Sequence, residues 1–319
     1  RIFEMQLINH GIRTVSVPEK VLQTLSMSSD ASTITKVDNE VLSYLENKLP
    51  SLLFESLADF QKVGVHWGSA IKQGRCLIAD EPGLGKTIQS IAISWIFKTK
   101  WPLLVISPSS ARYHWQAEIL KWLPNNECHI REDDIQVLTS SNQSIKPNML
   151  VLIVSYDLAD RVQDMLFNIN YGKGFQIIIA DECHMLKNKN TKRAKAILPM
   201  LQNSQHAILL SGTPALSRPK ELWSQLNVID QNQWPDYNVF IKRYCTGDTS
   251  DDKSNKNASN IQELHLMLRE NCMIRRLKTE ILKSLPPKTR RRVFVEIEDP
   301  ILKESIKQNF LEFLSRSGE

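Results

Sequence analysis

Two short runs in this chain hold residues whose types and spacing can do chemistry on a phosphate. The first is Ala79-Asp80-Glu81-Pro82-Gly83-Leu84-Gly85-Lys86-Thr87. Glycine lets the backbone come close to an anion, so that its N–H groups can surround the charge. Lys86 would neutralise the β and γ phosphates of a nucleoside triphosphate, and Thr87 would offer its hydroxyl to Mg²⁺. Two departures stand out: Asp80 occupies a place where a strict phosphate loop has glycine, and Pro82 has no N–H. The second run is Asp181-Glu182-Cys183-His184. Asp181 can hold Mg²⁺ through its water shell, and Glu182 can orient and polarise an attacking water. Each run alone has an ordinary explanation, a Gly-rich turn before a helix or a solvated acidic turn that caps one. Together they point to ATP binding and hydrolysis, with Lys86, Asp181 and Glu182 as the catalytic set. A third run, Leu209-Leu210-Ser211-Gly212-Thr213-Pro214, carries small hydroxylated residues that can bond the acidic box. A turn closed by Gly and Pro accounts for it equally well.

These runs must be held by something, and the flanking sequence says what. Short apolar stretches occur at Cys76–Ala79, Leu103–Ser107, Met149–Val154, Phe175–Ala180 and Ala207–Leu210. They read as buried strands. Helical patterns lie between most of them; Ile88, Ile91, Ala92, Trp95 and Ile96 share one helix face. Buried strands alternating with helices imply crossover units and a parallel sheet. The phosphate loop follows one strand and opens a helix, and the acidic box ends another. In a doubly wound sheet both lie at the carboxyl edge, where ligands bind.

The reading is therefore α/β, with one doubly wound parallel domain over 59–230. Residues 1–58 read as a mixed segment: the tail of an upstream domain with a β-like start at Phe3, Met5, Leu7 and Ile8, then a polar linker at Ser26–Lys36. Residues 231–319 read as a helical extension. Within it Cys245–Asn260 is polar and expected to be a mobile loop. Ile261–Leu285 is helical in pattern up to Pro286-Pro287, Arg290–Glu298 alternates like a strand, and Ile301–Leu314 is amphipathic.

Bulk properties exclude little else. The chain has 319 residues, 42% hydrophobic and 24% charged, with a formal net charge of +5. That excess permits a nucleic-acid partner without requiring one. Five cysteines without a C-x-x-C pair argue against a disulfide framework or zinc site and for a reducing compartment, cytosol or nucleus. No run reaches the roughly 18 apolar residues of a membrane span.

The motifs, in this order, resemble superfamily two helicases of the SWI/SNF-related class. Asp80–Thr87 resembles motif I, Ser107-Pro108-Ser109-Ser110 motif Ia, Ser155-Tyr156-Asp157 motif Ib, Asp181–His184 motif II and Leu210–Pro214 motif III. Phe60-Gln61-Lys62-Val63-Gly64-Val65 is similar to the upstream glutamine motif, which implies Gln61 near the adenine. Trp101–Leu104, Arg112–Trp115, Ser217–Pro219, Arg243–Cys245 and Ile274–Lys278 narrow the resemblance to the HepA-related annealing helicases, which rewind DNA and remodel stalled replication forks. Residues 1–26 resemble the end of the accessory domain that precedes the motor in one member. A zinc-finger-bearing sister enzyme has a similar motor.

The resemblance implies a first RecA-like lobe, ATP with Mg²⁺, a nuclear location, and forked or junction DNA as partner. A single-strand-binding protein would be engaged through regions outside this chain. It implies nucleotide binding by 80–87, coupling through His184, Ser211, Gly212 and Thr213, and DNA contacts at Ser107, Pro108 and Ser109. Cys183 and Pro82 depart from the commonest residues of the class. So does the lack of a second lobe with its arginine-rich motif, so the chain is expected to be a fragment of a longer motor.

Two basic sets add to the DNA expectation. Lys187, Lys189, Lys192, Arg193 and Lys195 follow the acidic box; Arg275, Arg276, Lys278, Lys283, Lys288 and Arg290–Arg292 come later. Lys187, Arg275 and Arg276 are the chosen phosphate contacts, against the usual reading of a charge run as a solvated face. Tyr113 and Trp115 read as core. Two other classes compete: a phosphate-loop enzyme acting on a small molecule, and a non-catalytic DNA-binding relic. The first leaves the motif order through Thr213 unexplained, and the intact Lys86, Asp181 and Glu182 oppose the second.

Overall fold

The structure, a computed structural model, describes residues 18–27, 37–213, 218–246 and 257–281. The expectations for 1–17, 28–36, 214–217, 247–256 and 282–319 lie outside them, among them Pro214 of the third run, the middle of the loop expected at 245–260 and the later basic residues from Lys283 on.

A parallel sheet runs through the lobe. Its strands are β1 (Arg75–Ile78), β2 (Leu103–Ser107), β3 (Ile135–Val137), β4 (Val151–Ser155), β5 (Ile177–Ala180), β6 (His206–Leu210) and, after a two-stranded ribbon of β7 (Cys245–Thr246) and β8 (Asn257–Ala258), β9 (Met273–Ile274). The order across the sheet is β3-β4-β2-β5-β6-β1-β9. Every pairing within it is parallel. Parallel strands must be joined by crossovers, and these cover both faces. Period-two alternation then splits the side chains. Leu104, Ile106, Ile178 and Ala180 enter one core, while Leu103, Val105, Ile177 and Ile179 enter the other.

The longer helices among the described residues are α1 (Glu19–Met27), α2 (Asn39–Glu46), α3 (Ser51–Ser56), α4 (Asp59–His66), α5 (Lys86–Ile96), α6 (Arg112–Trp122), α7 (Tyr156–Arg161), α8 (Lys192–Asn203), α9 (Trp223–Ile229), α10 (Tyr237–Tyr244) and α11 (Ile261–Asn271). Helices α5 and α6 cover one face through Ile88, Ile91, Trp115 and Ile119. Helices α8, α9 and α11 cover the other through Ile197, Leu201, Leu226 and Leu268. Among the described residues no helix is long and apolar enough to cross a membrane.

The lobe does not stop at the boundaries expected from sequence. Val41, Leu45, Leu49, Leu53 and Leu57 are buried in the same core as α5 and α6, so 37–58 is built into the lobe. Val41 and Leu45 lie one turn apart on α2, Leu53 lies on α3, and Leu49 and Leu57 lie just outside these helices, so the sequence holds no single helical stripe to read. At the other end β9 pairs with β1 through Leu77↔Met273 and Ile78↔Ile274, well past residue 230. The continuous helix expected over 261–285 breaks at Asn271 because the open edge of β1 takes the next residues as a strand. The expected loop at 245–260 begins and ends as the antiparallel ribbon β7–β8.

Candidate nucleotide-binding site

Because all strands of the sheet run the same way, the segments that follow β1, β2, β4, β5 and β6 emerge at one edge. This brings the sequence-distant runs together. A cleft of about 550 Å³ is lined by Gln61, Gly83, Lys86, Thr87, Asp181 and Glu182.

The loop after β1 is shaped by two glycines in the left-handed region, Gly83 at φ 89° and Gly85 at φ 75°. A Cβ on Gly85 would stand 2.2 Å from Gln61 Nε2, so any side chain there displaces Gln61. Gln61 is held at both ends: Oε1 accepts from the Ala58 N–H at 2.9 Å and Nε2 donates to the Leu84 carbonyl at 3.0 Å. Helix α5 opens at Lys86, and a helix leaves its first N–H groups without intrahelical partners. Such an end attracts anions. Lys86 Nζ donates to the Asp80 carbonyl at 3.0 Å, poised inside the loop.

The loop residues are not equivalent. Asp80 is fully buried and Leu84 sits in the core, so these two reach the site only through their backbone. Glu81 turns away too; its Oε2 accepts from the Lys278 N–H at 2.7 Å. Pro82 and Gly83 are exposed on the rim, and Pro82 faces Gly212, where a Cβ would stand 2.8 Å from Pro82 Cγ and 3.6 Å from Lys86 Nζ.

The acidic box closes the far side. Asp181 Oδ2 accepts from Trp115 Nε1 at 2.9 Å, and its Oδ1 accepts from the Glu182 N–H at 3.0 Å. Tyr156 Oη donates to the Asp181 carbonyl at 2.6 Å. Burial pushes the Asp181 carboxyl above its usual range, while the Trp115 hydrogen bond and Lys86 pull it down. Glu182 is left-handed at φ 50° and ψ 49°, a conformation costing a non-glycine residue about 1–2 kcal/mol. His184 Nδ1 lies 3.1 Å from Glu182 Oε2, out of line for a hydrogen bond and without another partner among the described residues. Ser211 Oγ accepts from the Thr213 N–H at 3.3 Å. Among the described residues neither hydroxyl bonds the acidic box.

Some expectations fail here. Trp115 is core as expected, but Tyr113 is 61% exposed. Ser107 is fully buried and cannot meet DNA with its side chain, whereas Ser109 is exposed and Pro108 partly so. Arg276 is 7% exposed and spent on interior partners, which rules out the phosphate contact assigned to it. Arg275 Nη1 donates to the Ala79 carbonyl at 3.0 Å with its side chain part-exposed. Lys187 Nζ pairs with Glu221 at 3.3 Å. Such surface pairs are worth about 0–1 kcal/mol, little enough to be exchanged for a phosphate. Arg193 pairs with Asp157, and Lys189 lies 4.0 Å from the Tyr237 ring centroid. Reading from sequence also missed His114, Glu118 and Trp122, which line the cleft from α6. Their spacing of four was the available signal.

The model of the SNF2-related domain matches residues 60–306 of the chain. The chain belongs to this family. As an SNF2-related domain it is 38% identical over 261 residues to mouse DNA annealing helicase and endonuclease ZRANB3, covering 80% of this chain and 24% of that protein. It is 39% identical over 287 residues to the Xenopus tropicalis SWI/SNF-related matrix-associated actin-dependent regulator of chromatin subfamily A-like protein 1, covering 88% and 29%. The SNF2-related domain thus spans under a third of the length of these relatives. Among solved structures, the Sulfolobus solfataricus SWI2/SNF2 ATPase core in complex with dsDNA matches with a TM-score of 0.57 and 26% identity, over 71% of this chain and 46% of that one. The RecA-like parallel sheet expected from sequence is that core's fold.

Lys86 offers the first check on this SNF2-related site. Its replacement by Ala removes the ammonium held on the Asp80 carbonyl within the loop. ATP affinity measured by calorimetry on 1–319 is expected to fall at least about tenfold, by the usual weight of a charge-assisted contact. Equal affinity in the two forms would remove Lys86 from the site.

Proposed function

We propose that the lobe is the first ATP-binding half of a DNA-dependent ATPase of the annealing-helicase type, acting in the nucleus on forked or junction DNA. One observation carries this reading: the Lys86–Thr87 loop and the Asp181–Glu182 pair face each other across one cleft, in a chain closely related to annealing helicases. Lys86 and the first amides of α5 bind the phosphates. Glu182 orients the attacking water and takes its proton. Thr87 and Asp181 supply two oxygen donors to the cleft, the hard donor set that suits Mg²⁺. That ion, when bound, neutralises charge on the β and γ oxygens. Gln61, held against the loop by its contacts with Ala58 and Leu84, meets the adenine. Gly212, against Pro82 and near Lys86, couples the third run to the loop, with Ser211, Thr213 and His184 beside it. Ser109, Lys187 and Arg275 face the DNA, with Pro108 shaping that segment. A single-strand-binding protein docks at a site separate from this cleft.

The deciding experiment is phosphate release by the full-length protein without DNA, with plain duplex, and with forked DNA. Stimulation by DNA is expected, larger for the fork, and falling as salt rises. An ATPase indifferent to every DNA offered would favour a small-molecule enzyme instead.

A further inference from the structure

Arg276 is the residue whose surroundings depart most from what its sequence context suggested. Its Nε donates to Asp80 Oδ1 at 2.9 Å, and its Nη2 pairs with Asp80 Oδ2 and donates to Gln89 Oε1 at 2.7 Å. Its Nη1 donates to the Phe60 carbonyl, and its plane sits 5.0 Å from the Phe60 ring centroid. Asp80 accepts further hydrogen bonds from the Arg276 N–H at 3.1 Å and from Gln89 Nε2 at 3.0 Å. Asp80, Gln89 and Arg276 are all buried.

What this guanidinium grips decides its meaning. Asp80 is the residue where β1 turns into the phosphate loop, and its carbonyl anchors Lys86. Gln89 lies one turn into α5, just past the loop's exit. Phe60 precedes Gln61, which braces Leu84 within the loop. One side chain therefore holds the entry, the exit and the brace. The segment that follows β9 adds further contacts to the loop: the Glu81 N–H donates to the Arg276 carbonyl at 3.0 Å, and the Lys278 N–H to the Glu81 carboxylate at 2.7 Å. Arg276 is not among the residues lining the cleft. An apolar cluster of equal volume would serve stability as well as a buried ion pair does. The planar fork of arginine instead fixes several partners at once, in directions an ammonium cannot reproduce.

We propose that Arg276 is a positioning residue for the triphosphate: it sets the shape of the phosphate loop through Asp80, Gln89 and Phe60 without touching the nucleotide. This rests on reading the cleft as an ATP site. Loss of the fork lets the loop relax, so that its amides and Lys86 no longer converge. Misplacement of about 1 Å costs on the order of 10²-fold in comparable sites.

The test uses the full-length protein and its DNA-stimulated ATPase, with thermal unfolding followed alongside. Arg276→Ala is expected to raise KM for ATP by about 10–100-fold while kcat falls less, and added methylguanidinium should lower KM again where methylammonium does not. Arg276→Lys keeps the charge and loses the fork, and its KM should also rise. Gln89→Met, which keeps the volume and removes the Gln89 hydrogen bonds to Arg276, Asp80 and Gly85, covers the case in which Arg276→Ala does not fold; its KM should rise in the same direction. Folded variants with unchanged KM and a lower maximal rate would mean that Arg276 only stabilises the lobe, overturning the proposal. So would the absence of guanidinium rescue. If the wild-type protein neither binds nor hydrolyses ATP, the ATP reading itself fails and this inference with it, a result separable from unchanged KM in an active wild type.

Discussion

Glu182→Gln in the full-length protein is expected to bind ATP as the wild type does and to lose about 10²–10⁴ of its single-turnover hydrolysis rate, the usual share of a general base. The amide keeps the size and the backbone of the glutamate. It cannot take a proton from water, and it polarises that water far less. The geometry supports the assignment: Glu182 lines the cleft opposite Lys86 and is held left-handed at φ 50°. Strain of this kind persists only where the surroundings impose it. Here the Glu182 N–H is tied to Asp181 Oδ1, and Asp181 in turn to Trp115 and Tyr156. Rapid-quench measurement of one turnover, beside calorimetric ATP affinity, checks both halves. Hydrolysis at the wild-type rate would show that another group positions the water.

The polypeptide 1–319 on its own is expected to bind ATP and turn it over about 10³–10⁵-fold more slowly than a polypeptide extended through a second lobe, the range an arginine finger supplies elsewhere. As the γ-phosphoryl leaves, negative charge spreads over its oxygens, and positive groups must already be in place around them. Lys86 serves one side. No arginine is among the residues lining the cleft; Arg276 is spent within the core and Arg275 on the Ala79 carbonyl. In the class this chain resembles, the second lobe brings the arginine. Phosphate release from both polypeptides at saturating DNA is the measurement. Comparable rates would mean that the site is complete within 1–319.

What could be read from sequence follows from how much of each feature is local. The loop from Asp80 to Thr87 and the box at Asp181–Glu182 declare themselves because glycines, lysine and paired carboxylates sit beside strongly apolar strands. Four- and five-residue runs such as Leu103–Ser107 need no tertiary context. β3 and β9 do: three and two residues carry no period, and they become strands only because β4 and β1 have edges to fill. Arg276 was misread for a related reason. In sequence it is one more cation in Ile274-Arg275-Arg276-Leu277-Lys278, and nothing local distinguishes the buried one. Its partner Asp80 carried the missing hint, an acid where glycine was expected, which must find a counter-charge if it is buried. Trp115 was legible as core but not as the donor to Asp181, because that contact joins α6 to the end of β5.

The place of β9 has a consequence for the order in which the lobe is made. On a chain synthesised from its N-terminus, β1 and the phosphate loop emerge early, with the outer edge of β1 bare. Such an edge is a template for wrong pairings until it is covered. Met273 and Ile274 cover it only after α11 has been made. Until Arg276 follows them, Asp80 lacks the guanidinium with which it is buried, and contacts this distant in sequence form slowly. The nucleotide loop, among the first parts of the lobe to leave the ribosome, is among the last to be set.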